Sequence, residues 1–124
     1  MDGFIKQAIK TENQDFDGMI ERSGNKRIMR LLHGAIGAST ESAEMLDALK
    51  KHIFYGTELD IVNIEEEVGD LLYYCAIICD ELNLTLDKVC VKNIDKLQKR
   101  YPNKFTKDDA VNRDLKAERE ILEK

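Results

Sequence analysis

Ile61-Val62-Asn63-Ile64-Glu65-Glu66-Glu67-Val68-Gly69-Asp70-Leu71-Leu72-Tyr73-Tyr74-Cys75-Ala76-Ile77-Ile78-Cys79 is the stretch whose reading decides the fold. Ile61, Ile64, Val68, Leu71, Leu72, Cys75, Ile78, Cys79 and then Leu82 recur at three- and four-residue steps. That is the period of a helix with one face turned to a neighbour, in the seam pattern of an antiparallel bundle. The predicted helix runs from about Ile61 to Leu82. Either Asp60 caps its start or Asn63 does so, with Glu66 completing a capping box; Asn83 ends it. Glu67 and Asp70 lie beside the seam and continue to Tyr74 and Ile77. Helical residues three apart are neighbours, about 5–6 Å between Cβ atoms. Gly69, within this strong helix, costs about 1 kcal/mol against alanine. Close approach of a ligand or another backbone would account for it.

Upstream, the spacing predicts a long helix from about Lys26 to Lys51. Its expected buried stripe is Ile28, Leu32, Ala35, Ser42, Leu46, Leu49 and Ile53. Lys50, Lys51 and His52 suit the negative end of a helix dipole, and Gly56 is a stop signal. Ser39-Thr40 either interrupts this helix or caps a second piece starting near Glu41; the sequence leaves both open. Ser23-Gly24-Asn25 is a break, preceded by short helices around Phe4–Ile9 and Phe16–Arg22. Downstream, Thr85 caps a helix over about Leu86 to Lys99, which stops before Tyr101-Pro102. The charged tail from Thr106 to Lys124 is helix-prone, with a thin apolar edge of Val111, Leu115 and Leu122. A frayed exposed helix and a docked one are both compatible with it.

The whole is expected to be an all-α, antiparallel helical bundle. The chain reads as one domain over residues 1–124, with a motif-bearing core at about 26–105 and a helical tail at 106–124. Its 124 residues suffice for a real core. Charged residues make up 35% of the chain, aromatics only 6%, with one proline and no tryptophan, which favours helices over strands. A net charge of −5 gives no basic signature for nucleic acid. No apolar run approaches the roughly 20 residues of a membrane span, and residues 1–10 lack the apolar core of a signal peptide. Cys75, Cys79 and Cys90 are odd in number and show no zinc-type spacing, so they read as buried thiols of a cytoplasmic protein.

The chemistry lies in two acidic pairs. Glu41-Ser42-Ala43-Glu44 places two carboxylates on the first long helix, and Glu67 and Asp70 form the second pair. On facing helices they would form a four-carboxylate nest that needs a cation, and hard oxygen ligands select Mg²⁺, with Mn²⁺ possible. Carboxylates beside buried faces are costly unless paired or metal-bound. A single Glu-x-x-Glu is usually a solvated face; the two pairs together carry the argument. Asn93, Lys96 and Arg100 recur along one face of the third long helix, followed by Tyr101. An amide, an ammonium and a guanidinium opposite an acidic metal site suit a polyphosphate bearing a nucleoside. His33 lies on the stripe that carries Gly37, Glu41, Glu44 and Ala48.

With these residues in place, the sequence resembles the MazG-like, all-α nucleoside triphosphate pyrophosphohydrolases, in a phage-type form. Leu31-Leu32-His33-Gly34-Ala35-Ile36-Gly37 is similar to the approach to that family's first motif. Lys50-Lys51-His52-Ile53-Phe54-Tyr55-Gly56 resembles the connector of phage-type members. Glu66-Glu67-Val68-Gly69-Asp70-Leu71-Leu72 is similar to the second motif. Asn93-Ile94-Asp95-Lys96-Leu97, with Lys99-Arg100-Tyr101-Pro102, resembles the third-helix signature. Less specifically, Asn112-Arg113-Asp114 with Ala117-Glu118-Arg119 resembles the tail of phage-type relatives.

The resemblance spans about Leu31 to Phe105. It departs at Ala43, where family members often carry glycine, and in lacking the tryptophan that often flanks the nucleoside pocket. It implies Mg²⁺-dependent hydrolysis of a (deoxy)nucleoside triphosphate to monophosphate and pyrophosphate, with Glu41, Glu44, Glu67 and Asp70 as metal ligands and catalytic residues, Glu41 or Glu44 taking the proton of the attacking water. Glu66 becomes an outer-sphere acid, and Asn93, Lys96, Arg100, Tyr101 and His33 become substrate contacts. It also implies a homodimer or dimer of dimers that closes the nest. A di-iron bundle would need Glu-x-x-His pairs, and neither His33 nor His52 follows a glutamate by three residues. A non-catalytic nucleotide-binding or dimerisation module and a nucleotide-alarmone hydrolase are the competing readings.

Overall fold

A computed structural model describes residues 2–123. Among them the secondary structure is helical: α1 (Asp2–Ile9), α2 (Phe16–Ser23), α3 (Lys26–Tyr55), α4 (Ile61–Glu81), α5 (Leu86–Arg100), α6 (Lys107–Val111) and α7 (Leu115–Leu122). The expected all-α class holds.

The helix ends follow side-chain chemistry. Asn25 starts α3 by accepting from the Arg27 N–H at 2.8 Å, and Thr85 starts α5 by accepting from the Lys88 N–H at 3.2 Å. Of the two caps open to α4, Asp60 is the one used: its carboxylate accepts from the Asn63 N–H at 3.0 Å. Gly56 ends α3 in the left-handed region, φ 71°, which glycine adopts without strain. The helix therefore runs one turn past the expected Lys51. Ser39-Thr40 does not interrupt it. The Thr40 hydroxyl donates to the Gly37 carbonyl at 2.8 Å and the Ser42 hydroxyl to the Ala38 carbonyl at 2.7 Å, so both are absorbed into the turn before them.

Helices α3 and α4 form an antiparallel hairpin. Arg30 reaches Asp80 and Glu81, at 2.5 and 3.1 Å, where the start of α3 meets the end of α4. Further along, Gly34 faces Ile78 and Gly37 faces Tyr74. A Cβ on Gly34 would lie 2.6 Å from Ile78 Cγ1, and one on Gly37 would overlap the Tyr74 ring. These are the close-approach glycines of the hairpin. Gly69 is not one of them, because nothing stands within 4 Å of where its Cβ would be.

The expected buried stripe of α3 is corrected by this packing. Ile28, Leu32, Leu46, Leu49 and Ile53 are all exposed, whereas Gly34, Gly37 and Ala48 are buried. The small residues let the two backbones approach, so the large apolar side chains point away from α4. The seam of α4 divides likewise. Cys79 is buried and Ile64, Leu71, Cys75 and Ile78 are half-buried, but Ile61, Val68, Leu72 and Leu82 are exposed. Cys90 is also exposed, against the reading of all three thiols as buried. Among the described residues, Ala48 and Cys79 are the buried apolar side chains. The chain exposes 10151 Å². A folded monomer of 14.2 kDa normally exposes about 6,800 Å².

The tail docks through charge more than through its apolar edge. Val111 and Leu115 stay exposed, and Glu118 is buried instead. Its carboxylate accepts two hydrogen bonds from Arg100 of α5, at 2.9 and 2.6 Å, and further ones from Arg113, at 3.3 and 2.7 Å. The Lys92 ammonium adds a 2.7 Å bond to the Leu122 carbonyl. The Arg100 fork on this desolvated carboxylate thus holds α7 to α5, and the Arg113 fork ties the same carboxylate to the turn before α7.

Candidate metal centre

Halfway along the α3–α4 hairpin, acidic side chains from both helices converge. Glu41 of α3 and Glu67 and Asp70 of α4 each offer a carboxylate oxygen, all within 4.8 Å of one another. The placement follows from the packing. Gly37 against Tyr74 brings the helices close one turn away, so Glu41, at 37+4, meets the α4 turn that holds Glu67 and Asp70. Glu67 is buried, Glu41 is half-buried and Asp70 is exposed, so the cluster opens to solvent on the Asp70 side.

The electrostatics are those of crowded like charges. Burial pushes the Glu67 carboxyl above the ordinary carboxylate range. The neighbouring Glu41 carboxyl and the charge of Glu44 push the same way, while a hydrogen bond from Asn63 pulls against them. Asn63 Nδ2 donates to Glu67 Oε1 at 2.7 Å. Among the described residues no cation pairs with the cluster. Three hard oxygens on two helices, one of them desolvated without a counter-charge, fit a divalent ion such as Mg²⁺ or Mn²⁺. They do not fit a soft metal, because no cysteine or histidine belongs to the group.

The other sequence-derived candidates lie in several places. Glu44 stands outside the three-carboxylate group and is exposed, yet it is close enough to act on Glu67 through its charge. Glu66 is exposed. His33 packs edge-on against Tyr74 with ring centroids 5.7 Å apart, and Tyr74 in turn meets Tyr73 at 5.2 Å. An aromatic group therefore sits one helical turn from Asp70. Asn93, Lys96, Arg100 and Tyr101 are not joined to the acids by any hydrogen bond or ion pair among the described residues. Arg100 is committed to Glu118, which raises its pKa further above the ordinary guanidinium value. Tyr101 packs against Phe105, centroids 5.4 Å apart, with the Arg100 guanidinium 5.6 Å from its ring. Asn93 lines a largely apolar cavity with Leu84, Val89, Cys90 and Leu122.

Periodicity and motif spacing do not single out Asn63 or Glu118 for these roles. Asn63 reads as a capping candidate, yet an amide four residues before a carboxylate is also a helical hydrogen-bonding pair. Glu118 has no local signal, since its partners are 18 and five residues away.

No curated protein and no solved structure shows significant similarity to the chain. The sequence profile of one family, described as the MazG nucleotide pyrophosphohydrolase domain, matches residues 36–105. That match takes in most of the α3–α4 hairpin, all the clustered acids and α5, and it covers more than half of the 124 residues: the chain belongs to the MazG nucleotide pyrophosphohydrolase family.

Proposed function

We propose that the protein hydrolyses a (deoxy)nucleoside triphosphate to the monophosphate and pyrophosphate, with Mg²⁺ held by Glu41, Glu67 and Asp70. The convergence of those three carboxylates within 4.8 Å, in a chain of this family, carries the reading. Mg²⁺ bound there supplies charge neutralisation of the triphosphate and polarisation of the attacked phosphorus. The chain's own residues position the reactants and handle the proton. Glu44, outside the cluster but one turn from Glu41, is the proposed acceptor of the proton of the attacking water, or a further ligand when substrate arrives. His33 and Tyr73, which both meet the Tyr74 ring, are the candidate aromatic contacts for the nucleoside. Lys96 remains the candidate phosphate contact on α5, and Asn93 and Tyr101 the candidates for sugar or base. Arg100 could reach a phosphate only by leaving Glu118.

We also propose that a second copy of the chain covers the large apolar faces left open on α3 and α4. A chain of this size with so little buried apolar surface is short of a partner. A homodimer, or a dimer of dimers, would enclose the open side of the acid cluster. A cytoplasmic location is part of the same proposal; among the described residues no helix is long and apolar enough to cross a membrane.

The test is a panel of ribo- and deoxyribonucleoside triphosphates, with products identified by phosphorus NMR. The expected result is monophosphate and pyrophosphate, formed only with Mg²⁺ or Mn²⁺. Absence of turnover on every nucleotide, by folded protein, would favour the non-catalytic binding module. Release of inorganic phosphate would rule out the proposed bond cleavage.

A further inference from the structure

The buried carboxylate of Glu67 has one neutral partner, and it sits on the same helix. Asn63 lies one turn before Glu67, half-buried, and its amide donates to Oε1 at 2.7 Å. The Asn63 backbone is fixed in turn, because its N–H is the one that caps the helix on Asp60. The Asp60 cap, the first turn of α4 and the Asn63 amide therefore run in sequence to a single oxygen of Glu67. With that oxygen held, the other is left for a cation.

We propose that Asn63 is a positioning residue for the metal centre: it fixes the Glu67 carboxylate so that Glu41, Glu67 and Asp70 present their oxygens to one ion. The inference rests on the metal-centre reading given above. Asn63 contributes no charge, and its amide is bonded to Glu67. Its action is geometric. An unheld glutamate has three side-chain torsions to order on binding, and beside Glu41 and Glu44 like-charge repulsion opposes the converged position. Mg²⁺ demands near-ideal octahedral geometry, whereas Ca²⁺ tolerates irregular ligand sets. Loss of the Asn63 amide should therefore weaken Mg²⁺ more than Ca²⁺. Outer-shell hydrogen bonds of this kind typically change metal affinity by about 10–100-fold.

The experiment is calorimetric titration of the full chain, without nucleotide, by Mg²⁺ and separately by Ca²⁺. Wild type, Asn63→Ala and Asn63→Gln are compared, with thermal unfolding of each in chelator. Alanine is the best helix former, so Asn63→Ala is not expected to disturb α4. The expected result is about 10-fold or greater weakening of Mg²⁺ by Asn63→Ala, a smaller change for Ca²⁺, and partial recovery in Asn63→Gln, which keeps an amide donor. Mg²⁺ binding by Asn63→Ala equal to wild type would overturn the role of Asn63 while leaving the metal centre standing. Equal weakening of both ions, with a lowered unfolding temperature in chelator, would mark Asn63 as merely structural and also overturn it. Wild-type protein that takes up neither ion would remove the metal centre, and this inference with it.

Discussion

At the residue scale the cluster holds three carboxylates where electrostatics favours fewer. Glu67 is buried, beside Glu41 and near the charge of Glu44, so its proton is held more tightly than that of an ordinary glutamate. Neutral isosteres should relieve this crowding. Glu67→Gln and Asp70→Asn are expected to abolish Mg²⁺ binding and nucleotide turnover while leaving helicity by circular dichroism unchanged. In chelator their unfolding temperatures should equal or exceed that of wild type, because a repulsive contact has been removed. Wild-type turnover in both variants would take these residues out of the site. The acids themselves are legible in the sequence, because three-residue spacing on a helix fixes neighbours without knowledge of the fold. The separation of Glu44 from the other three is not, since it depends on how α3 is rotated against α4.

At the element scale, the hairpin rests on two glycines. Gly37→Ala would drive a methyl group into the Tyr74 ring and force α3 and α4 apart, next to the site. Overpacking costs about 1–3 kcal/mol and improved helix propensity returns about 1. A net loss of stability is expected, together with weaker Mg²⁺ binding. Gly69→Ala meets open space and is expected to gain about 1 kcal/mol. Denaturant unfolding of the two variants at fixed chain concentration checks both signs.

The α5–α7 contact responds to acid. Arg100, then Arg113, holds the Glu118 carboxyl far below the usual glutamate range. A depressed folded-state pKa means that this stabilisation is complete above the unfolded-state value and is lost as the pH falls below it. From about pH 5 down to about pH 3, wild type should lose unfolding temperature more steeply than Glu118→Gln. Parallel curves would show that the latch contributes nothing. Apolar periodicity is enough to locate both α3 and α4 along the chain. It misassigns the buried face of α3 because large apolar side chains are the conspicuous signal, whereas the packing face is marked by what is missing: Gly34, Gly37 and Ala48. The docking of α7 is open in the sequence for a related reason. Its apolar positions suggest an edge, but the contact centres on a buried ion network whose inter-helix partner, Arg100, lies 18 residues from Glu118.

At the scale of the whole molecule, the exposed surface exceeds that of a typical monomer by about half. Leu32, Ile36, Leu46 and Ile53 lie on one long helix and are exposed together. Sedimentation is expected to give a dimer or a multiple of it. Leu32→Asp, which leaves the α4-facing glycines untouched, should shift the mass toward monomer. A monomeric wild type would remove the proposal that a second copy completes the bundle.

All of the proposed chemistry depends on Glu41, Glu67 and Asp70 gripping one divalent ion between α3 and α4. Electron paramagnetic resonance of Mn²⁺ titrated into the full chain tests this most directly. The free-ion signal should be quenched by wild type, with binding sharply weakened in each of Glu41→Gln, Glu67→Gln and Asp70→Asn. Three variants that bind Mn²⁺ as wild type does would contradict it.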